Sequence, residues 1–288
     1  MSSASTLAAP VLDRPQQRGA LARFYRSEVT LILRRRRNLA LLVVLSVVPI
    51  IIGTAVYLST PRGGEGPPFL GQITGNGLFL VFTALTVALP VFLPLVVAVV
   101  AGDSIAGEAG GGTLRYLLTV PVTRSRLLLV KTLAVASFTA LAVLVVAVVG
   151  LVTGAVLFGL GDLTLLSGDT IGLGNGLLRA LGVSAYVTLA LFGLAAGGLF
   201  ISTLTENAIA AMATTLGLVV LSALLDAVPQ LSVIHPYLLT HNWLGFGELL
   251  RGSVDTTSLL RWSGLHAAYA AVFLSLAWSR LSTKDITS

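Results

Sequence analysis

The sequence predicts an all-α integral membrane protein with six transmembrane helices. Of its 288 residues, 55% are hydrophobic and only 10% are charged, and the mean hydropathy is +0.93. A soluble domain usually carries about 25% charged residues. One charge at the centre of a spanning helix costs roughly 3 kcal/mol on insertion scales. The scarcity of charge therefore indicates that long segments of the chain lie in a membrane.

Six apolar runs are candidates for the spans, since about 20 residues of helix cross roughly 30 Å of hydrocarbon. The first run follows a basic segment and lacks a small-residue cleavage site at its end, so we interpret it as a retained helix rather than a signal peptide. The runs are Leu39–Leu58, Leu78–Ala101, Leu127–Leu160, Leu177–Ile201, Ala208–Val228 and Leu265–Ser279.

The basic residues orient these spans. Most of the 18 lysines and arginines flank the spans on one side, and the exceptions are Arg62, Arg179, Arg251 and Arg261. Cytoplasmic loops carry an excess of Lys and Arg. We therefore expect a multi-pass protein of the plasma (cytoplasmic) membrane with both termini in the cytoplasm. Its parts would be a cytoplasmic N-terminal segment (1–38), a six-span domain (39–279) and a cytoplasmic tail (280–288).

The segment Ala20–Arg37 predicts a helix that lies at the cytoplasmic interface before the first span. Apolar side chains recur there at helix-like intervals, with arginines between them. The alternative is a plain basic signal for topology. On the outer side, residues 229–263 predict short interfacial helices, because Tyr237, Trp243 and Phe246 lie among apolar residues and aromatic rings settle at the interface.

Glycine and proline mark further features of the spans. Pairs with Gly-x-x-x-Gly spacing let helix backbones approach closely, although chance matches are expected among 30 glycines. The pairs are Gly150/Gly154 and Gly193/Gly197. Prolines within spans predict kinks at Pro49, Pro90 and Pro94.

The cytoplasmic loop at residues 102–126 interrupts two of the most apolar runs. Glycines at 110–112 disfavour a helix and allow a sharp turn. Thr113 then stands at an N-cap position and Pro121 ends the segment, which predicts a helix of about two turns. Its apolar stripe consists of Leu114, Leu117 and Leu118. Such a stripe suits insertion into a groove of a partner, or packing on the protein's own bundle or on lipid headgroups.

The same loop resembles the cytoplasmic-loop signature of ABC-2 type transporter permeases. The matching residues are Glu108, Gly112, Thr113, Leu114, Leu117, Leu118, Pro121, Thr123, Arg124 and Lys131. Two positions depart from the family pattern: Val130, where glycine is frequent, and Arg115, where an acidic residue is common. The six-span layout, the leading interfacial helix and the long outer segment extend the resemblance along the chain.

The resemblance implies that the short helix is a coupling helix, which docks into a cleft of a separate ABC ATPase subunit. Nucleotide-driven closure of two such subunits would move the membrane helices and export a substrate. One chain would supply half of the translocation unit, so a second permease chain is expected, as a homodimer or a heterodimer. Glu108 would pair with a nearby base, the candidates being Arg115, Arg124 and Lys131.

Missing motifs fit this division of labour. The chain has no G-x-x-x-x-G-K-[ST] loop, so we expect no cofactor in this chain, no enzymatic activity of its own, and ATP and magnesium on the partner ATPase. It has no cysteine, which excludes disulfides and cysteine metal sites. The arginine run at 34–37 abuts a span, so we expect membrane lipid as the partner and expect no nucleic acid. The uncharged span centres favour an apolar or amphipathic substrate.

Two other functions stay open. An ion-coupled secondary transporter would be expected to carry ionisable residues inside its spans. Here Asp103, Glu108, Glu206 and Asp226 are predicted at or beyond span ends, which disfavours a carrier. An integral membrane enzyme would rest on His235 and His241 with Glu248 nearby, but their spacing is awkward on a helix and interface anchoring is the simpler explanation.

The predicted topology can be tested by cysteine labelling, since the chain has no native cysteine. Single cysteines at Gly64, Gly168 and Ser253 should react with an impermeant maleimide applied from outside intact cells. Cysteines at Ala109 and Thr283 should react only after the membrane is permeabilised. Labelling of Ala109 from outside would contradict both the orientation and the coupling-helix assignment.

Overall fold

The apolar runs fold as α-helices, because a backbone in hydrocarbon must satisfy its own hydrogen bonds. A computed structural model describes residues 15–59, 76–111, 123–165 and 167–283. Its helices are α1 (Pro15–Arg34), α2 (Arg36–Ser59), α3 (Phe79–Ala88), α4 (Phe92–Gly110), α5 (Arg124–Phe158), α6 (Leu173–Leu204), α7 (Ala208–Asp226) and α8 (Thr256–Thr283). Two short strands, β1 (Leu163–Thr164) and β2 (Thr170–Ile171), form an antiparallel hairpin before α6.

Five of these helices, α2, α4, α5, α6 and α7, are long and apolar enough to cross a membrane. The helical architecture is therefore confirmed, and these five helices indicate a multi-pass membrane protein. The 35 residues of α5 extend for about 52 Å, well beyond the roughly 30 Å of a hydrocarbon core. A helix of this length must either tilt in the bilayer or project beyond it, as the length of its apolar run suggests.

The prediction of a single helix for the second span, Leu78–Ala101, was wrong, because this region contains two helices. Residues 89–91 form a turn that separates α3 from α4, and Pro90 lies in this turn. Proline has no N–H to donate and disfavours helical backbone in the residue before it. At its other end α4 continues to Gly110, so the loop predicted to begin at residue 102 begins only after this glycine. By contrast, α2 runs through Pro49 without interruption.

The predicted sixth span lies within α8, whose 28 residues are long enough to cross a membrane. This helix is not among the five that combine length with high hydropathy. Its first turns are polar because they contain Thr256, Thr257, Ser258 and Arg261. The six-span layout therefore stays a prediction.

Helices α4 and α6 form the core of the bundle. In the most apolar 18-residue stretch of each helix, 61% of the residues of α4 and 67% of those of α6 are buried. The corresponding fraction is 28% or less in α2, α5 and α7. Helix α6 packs against α4, α5, α7 and α8, whereas α1, α2 and α3 pack mainly along α5. The less buried helices leave apolar side chains exposed on the outside of the bundle, among them Val43, Ile51, Val152 and Leu221. Such a surface suits contact with lipid.

Both Gly-x-x-x-Gly pairs lie at close helix contacts, which confirms that their spacing is used for packing. Gly150 and Gly154 face the start of α3, and a Cβ at Gly154 would overlap the backbone of Gly77. Gly193 and Gly197 face α8, where added Cβ atoms would lie 3.3 Å from the carbonyl oxygen of His266 and from the ring of Phe273, respectively. Small residues allow this approach, as in other membrane helices.

The outer segment is built from short 3-10 helices, as the sequence predicts, but it packs inward. These helices are Pro229–Leu231, His235–Tyr237 and Trp243–Leu250. Trp243 and Phe246 are buried, and only Tyr237 of the three predicted anchors is exposed. The Tyr186 hydroxyl of α6 donates to the carbonyl of Asn242 at 2.5 Å and helps to hold the segment. The prediction of interfacial aromatic anchors was therefore wrong for Trp243 and Phe246.

The contact at Gly154 predicts a specific sensitivity. Gly154→Ala should lower the free energy of unfolding by about 1–3 kcal/mol, the usual range for overpacking, because the new methyl group meets the backbone of Gly77, just before α3. Gly217→Ala is the matched control: Gly217 lies in α7 with open space around it. It should stabilise its helix by up to about 1 kcal/mol. Thermal unfolding of both variants in one detergent tests this, and equal midpoints would contradict the packing assignment.

Candidate functional site

The predicted coupling residues fall into two groups in the structure. Gly112, Thr113, Leu114, Leu117, Leu118 and Pro121 lie outside the described residues. Glu108, Arg124 and Lys131 are described, and they lie on either side of that segment. Glu108 is in the last turn of α4, Arg124 begins α5, and Lys131 lies about two turns further along α5.

Lys131 and Glu108 form a buried ion pair. The Lys131 Nζ atom donates to Oε1 of Glu108 at 2.5 Å and to Oε2 of Glu28 at 3.1 Å. The lysine side chain is 2% exposed, and the two carboxylates are 10% and 9% exposed. The expected pairing of Glu108 is thus confirmed with Lys131, one of its three candidate partners. Glu28 brings α1 into the same cluster.

A second ion pair lies beside the first along α4. Oδ2 of Asp103 accepts hydrogen bonds from Nη1 of Arg35 and from Nη2 of Arg37, the latter at 2.7 Å. Arg35 is the residue between α1 and α2, and Arg37 lies in the first turn of α2. The corner is fixed further by Asn38, whose side chain donates to the carbonyl of Ile32 at 2.9 Å. The two clusters, which we call the ion-pair network (Glu28, Arg35, Arg37, Asp103, Glu108, Lys131), contain three carboxylates and three cations.

Glycines at the end of α4 serve close packing. A Cβ at Gly102 would lie 2.7 Å from the backbone nitrogen of Met212, and one at Gly110 would lie 2.6 Å from the carbonyl oxygen of Glu206. Gly110 is therefore helical and allows the turn before α7 to approach α4, which corrects its predicted role in a turn. Gly111 follows with φ −82°, a value open to any residue.

Ser202 of α6 bonds to the backbone of the same stretch of α4. Its Oγ atom accepts from the N–H groups of Ile105 and Ala106 at 3.0 and 2.8 Å and donates to the carbonyl of Gly102 at 2.7 Å. Sequence reasoning missed both Ser202 and Glu28. A serine near a span end gives no distinctive signal. Glu28 does give one, because it lies one turn from Tyr25 and one turn from Ile32, on the apolar side of α1.

Arg124 has a different role from Lys131. Its guanidinium donates to the carbonyls of Leu281 and Ser282 at 2.8 and 2.9 Å, near the end of α8. The last carbonyls of a helix lack intrahelical partners and carry partial negative charge, so an arginine there is favourable. Nearby, the indole N–H of Trp278 donates to Ser125 at 3.0 Å. Arg124 thus ties the start of α5 to the last helix.

The outer histidines do not form a metal site with Glu248. The glutamate pairs with Arg251 at 3.5 Å, whereas Nδ1 of His241 lies 2.6 Å from Oδ1 of Asp226. Within the described residues, no group of three or more His, Cys, Asp or Glu side chains has an arrangement that could hold a metal ion. Asp255 caps α8, and hydrogen bonds from the hydroxyl and the N–H of Ser258 lower the pKa of Asp255.

A groove of about 610 Å³ opens between the middle parts of α5 and α6. Residues from both helices line it, among them Ala136, Ala140, Leu144, Leu181, Thr188 and Phe192. The hydroxyls of Ser184 and Thr188 donate to carbonyls of their own helix at 2.8 and 2.7 Å. The groove therefore presents an almost wholly apolar wall.

A family model, DUF2705, described as a protein of unknown function, matches residues 41–287. Since the match covers most of the chain, the chain belongs to this family. The matched range contains Glu108 and Lys131 and begins after Glu28. No curated protein matches the chain.

The burial of Lys131 predicts a large effect when its charge is removed. Lys131→Met should lower the free energy of unfolding by about 3–5 kcal/mol, because two buried carboxylates lose their cation. Adding Glu28→Gln and Glu108→Gln should restore much of that loss. Arg126→Met, at an exposed position of the same helix, is the control and should change stability little. Equal thermal unfolding midpoints for Lys131→Met and Arg126→Met would contradict the network.

Proposed function

We propose that this member of the DUF2705 family is the membrane-spanning permease subunit of an ABC-2 type, ATP-driven exporter. The observation that carries the proposal is the buried ion pair between Glu108 and Lys131. It joins the two helices that flank residues 112–122, and this is the segment whose sequence resembles the coupling loop of such permeases. A loop that receives force from a partner needs firm attachment to the helices on both sides.

The ion-pair network and Arg124 supply such attachment. Glu108 and Lys131 connect α4 to α5, Glu28 connects both to α1, and Arg124 connects α5 to α8. A displacement of the loop at 112–122 would therefore move several helices together. In the proposed mechanism, ATP-driven closure of the partner subunits displaces the loop, and the network transmits this displacement to the spans.

The proposed assembly divides the work between chains. A separate ABC ATPase binds ATP and magnesium, and the leucines at 114, 117 and 118 dock into it. A second permease chain, identical or related, completes the translocation unit. Both termini and the docking loop face the cytoplasm of a cell whose plasma membrane holds the complex.

The apolar lining of the groove between α5 and α6 supports the proposal that the cargo is apolar or amphipathic. The groove between α5 and α6 offers about 610 Å³ with hardly any free polar group. A strongly hydrated solute would lose its hydration in such a groove without gaining hydrogen bonds. A lipid, a drug or another hydrophobic compound fits this surface better.

An ion-coupled secondary transporter is the second candidate, and the structure gives one observation in its favour. Asp103 and Glu108 lie within α4, a helix that could span the membrane, although they were predicted at or beyond a span end. Ionisable residues inside spans mark ion pathways in many transporters. The two candidates differ in whether the carboxylates anchor helices or exchange protons.

The exporter proposal predicts a specific ATPase partner. Affinity purification from native membranes in mild detergent should recover a nucleotide-binding subunit together with ATP hydrolysis. Leu117→Asp combined with Leu118→Asp should abolish this recovery, since two charges cannot enter an apolar cleft. The control is Leu260→Asp, at an exposed position of α8. Both variants must keep the wild-type unfolding midpoint.

Two outcomes would contradict the exporter proposal. One is the absence of any ATPase from the purified complex under several detergents. The other is equal recovery of the ATPase by the wild type and the doubly substituted loop. If the purified chain alone, in proteoliposomes, then took up protons in response to a hydrophobic cation and Glu108→Gln stopped this uptake, the carrier would be favoured.

A further inference from the structure

The arginines of α1 and of the junction between α1 and α2 differ in their surroundings. Arg35 and Arg37 are bound by Asp103 inside the ion-pair network. Arg23, Arg26 and Arg34 are exposed on α1, and in the part of the chain that the structure describes they form no ion pair. A single basic segment thus contains two arginines that are paired with a carboxylate and a set with no ion-pair partner among the described residues.

The exposed set shares one face of α1. Residues 23, 26, 27, 30, 31 and 34 follow the three- and four-residue spacing of a helix face. They line a shallow concavity of about 450 Å³, formed by Arg23, Arg26, Ser27, Thr30, Leu31 and Arg34. From Arg23 to Arg34 the patch extends for about 16 Å along the helix. We call these six residues the arginine patch.

The other faces of α1 hold it in place. Glu28 is buried against Lys131, and the hydroxyl of Tyr25 lies 2.6 Å from that of Ser137 in α5. Helix α1 is therefore attached to the bundle through one side while the arginine patch faces away from it. The patch is a preformed surface on a fixed helix, which reduces the ordering cost of binding a ligand.

The chemistry of the patch favours a phosphate group. Guanidinium groups are planar forks of N–H donors that bind phosphate oxygens in pairs. The hydroxyl of Thr30 donates its hydrogen bond to the backbone carbonyl of Arg26 at 2.7 Å. The guanidinium N–H groups of the patch therefore stay available for a ligand. Leu31 adds an apolar contact at the rim. A ligand with a phosphate and an adjoining apolar part would match all of these groups.

The position of the patch identifies the source of that phosphate. Arg34 ends α1, and α2 begins at Arg36 and could span the membrane. The patch therefore ends where a span would enter the headgroup region. Lipid phosphates are concentrated at this level, and basic clusters beside a span attract anionic lipids. A soluble phosphate has no such local enrichment.

We propose that Arg23, Arg26 and Arg34 form a binding site for the phosphate headgroup of an anionic membrane lipid. The site is independent of the exporter proposal, because it needs neither an ATPase nor a cargo. Bound lipid would hold α1 at the membrane surface from one side, while Glu28 holds it to α4 and α5 from the other. The arginine patch is thus a specific lipid site as well as a signal for topology.

The test compares lipids on the purified full-length chain by native mass spectrometry. Phosphatidylglycerol, phosphatidylcholine and the phosphate-free anionic sulfoquinovosyl diacylglycerol are added at equal concentration, and the wild type should bind phosphatidylglycerol more tightly than either of the others. The triple variant Arg23→Gln, Arg26→Gln, Arg34→Gln should lose roughly tenfold or more of its apparent affinity for phosphatidylglycerol. The control variant Arg126→Gln, Arg261→Gln, Arg280→Gln removes the same charge from exposed positions elsewhere and should stay within about twofold of the wild type.

Further arms separate the proposal from its alternatives. A triple arginine-to-lysine variant should keep part of the affinity, since charge remains but the paired donors are lost. If the triple glutamine variant does not fold, Arg26→Gln and Arg26→Lys give the same comparison. Equal binding of phosphatidylglycerol and phosphatidylcholine by the wild type would overturn the proposal. So would equal loss in the control variant, or full displacement by 10 mM inorganic phosphate, which would indicate a site for free phosphate.

Discussion

The buried ammonium group of Lys131 is the constraint on which the arrangement of the surrounding helices depends. Removing a charge from water costs several kcal/mol unless close partners compensate it. Here the partners come from two different helices, Glu108 of α4 and Glu28 of α1. Neither helix can leave α5 without exposing or unpairing a charge. The position of α1 therefore follows from Lys131 as much as from the apolar contacts of α1.

Helix α4 is also held by backbone contacts. Gly102 and Gly110 allow α7 and the turn before it to approach, and Ser202 of α6 bonds directly to the α4 backbone. Charged contacts from the junction between α1 and α2, from α2 and from α5, and close backbone contacts from α6 and α7, therefore all lie within the same half of α4. Further along the bundle, α5 and α6 diverge around an apolar groove. A well-anchored end and an open middle are what a helix needs if it is to transmit a displacement to a cavity.

Composition and the length of the apolar runs were sufficient to predict most of the long helices, and tertiary contacts decided the rest. The apolar runs mark α2, α5, α6 and α7, because a membrane leaves the backbone little alternative to helix. The break at Pro90 was visible as a proline, but whether a proline kinks or ends a helix depends on its neighbours. The role of Gly110 could not be read from the sequence, since a glycine that permits a turn and one that permits a close contact look the same. Trp243 and Phe246 show the same limit, because an aromatic residue can anchor at an interface or fill a core.

The site was predictable in part for the same reason. The loop motif led us to expect that Glu108 pairs with one of three nearby bases, and Lys131 is that base. Glu28 required knowledge of which face of α1 meets α5. The position of the ion-pair network along the helices bears on function. Glu108 lies about 3 Å from the end of α4, and Lys131 lies about 10 Å from the start of α5, both measured along the helix axis. Transporter ion sites commonly lie near the bilayer midplane, about 15 Å from either surface of the hydrocarbon. A network of three carboxylates and three cations near one end of the helices therefore fits the proposed role of fastening the segment 112–122 better than it fits ion transport across the membrane.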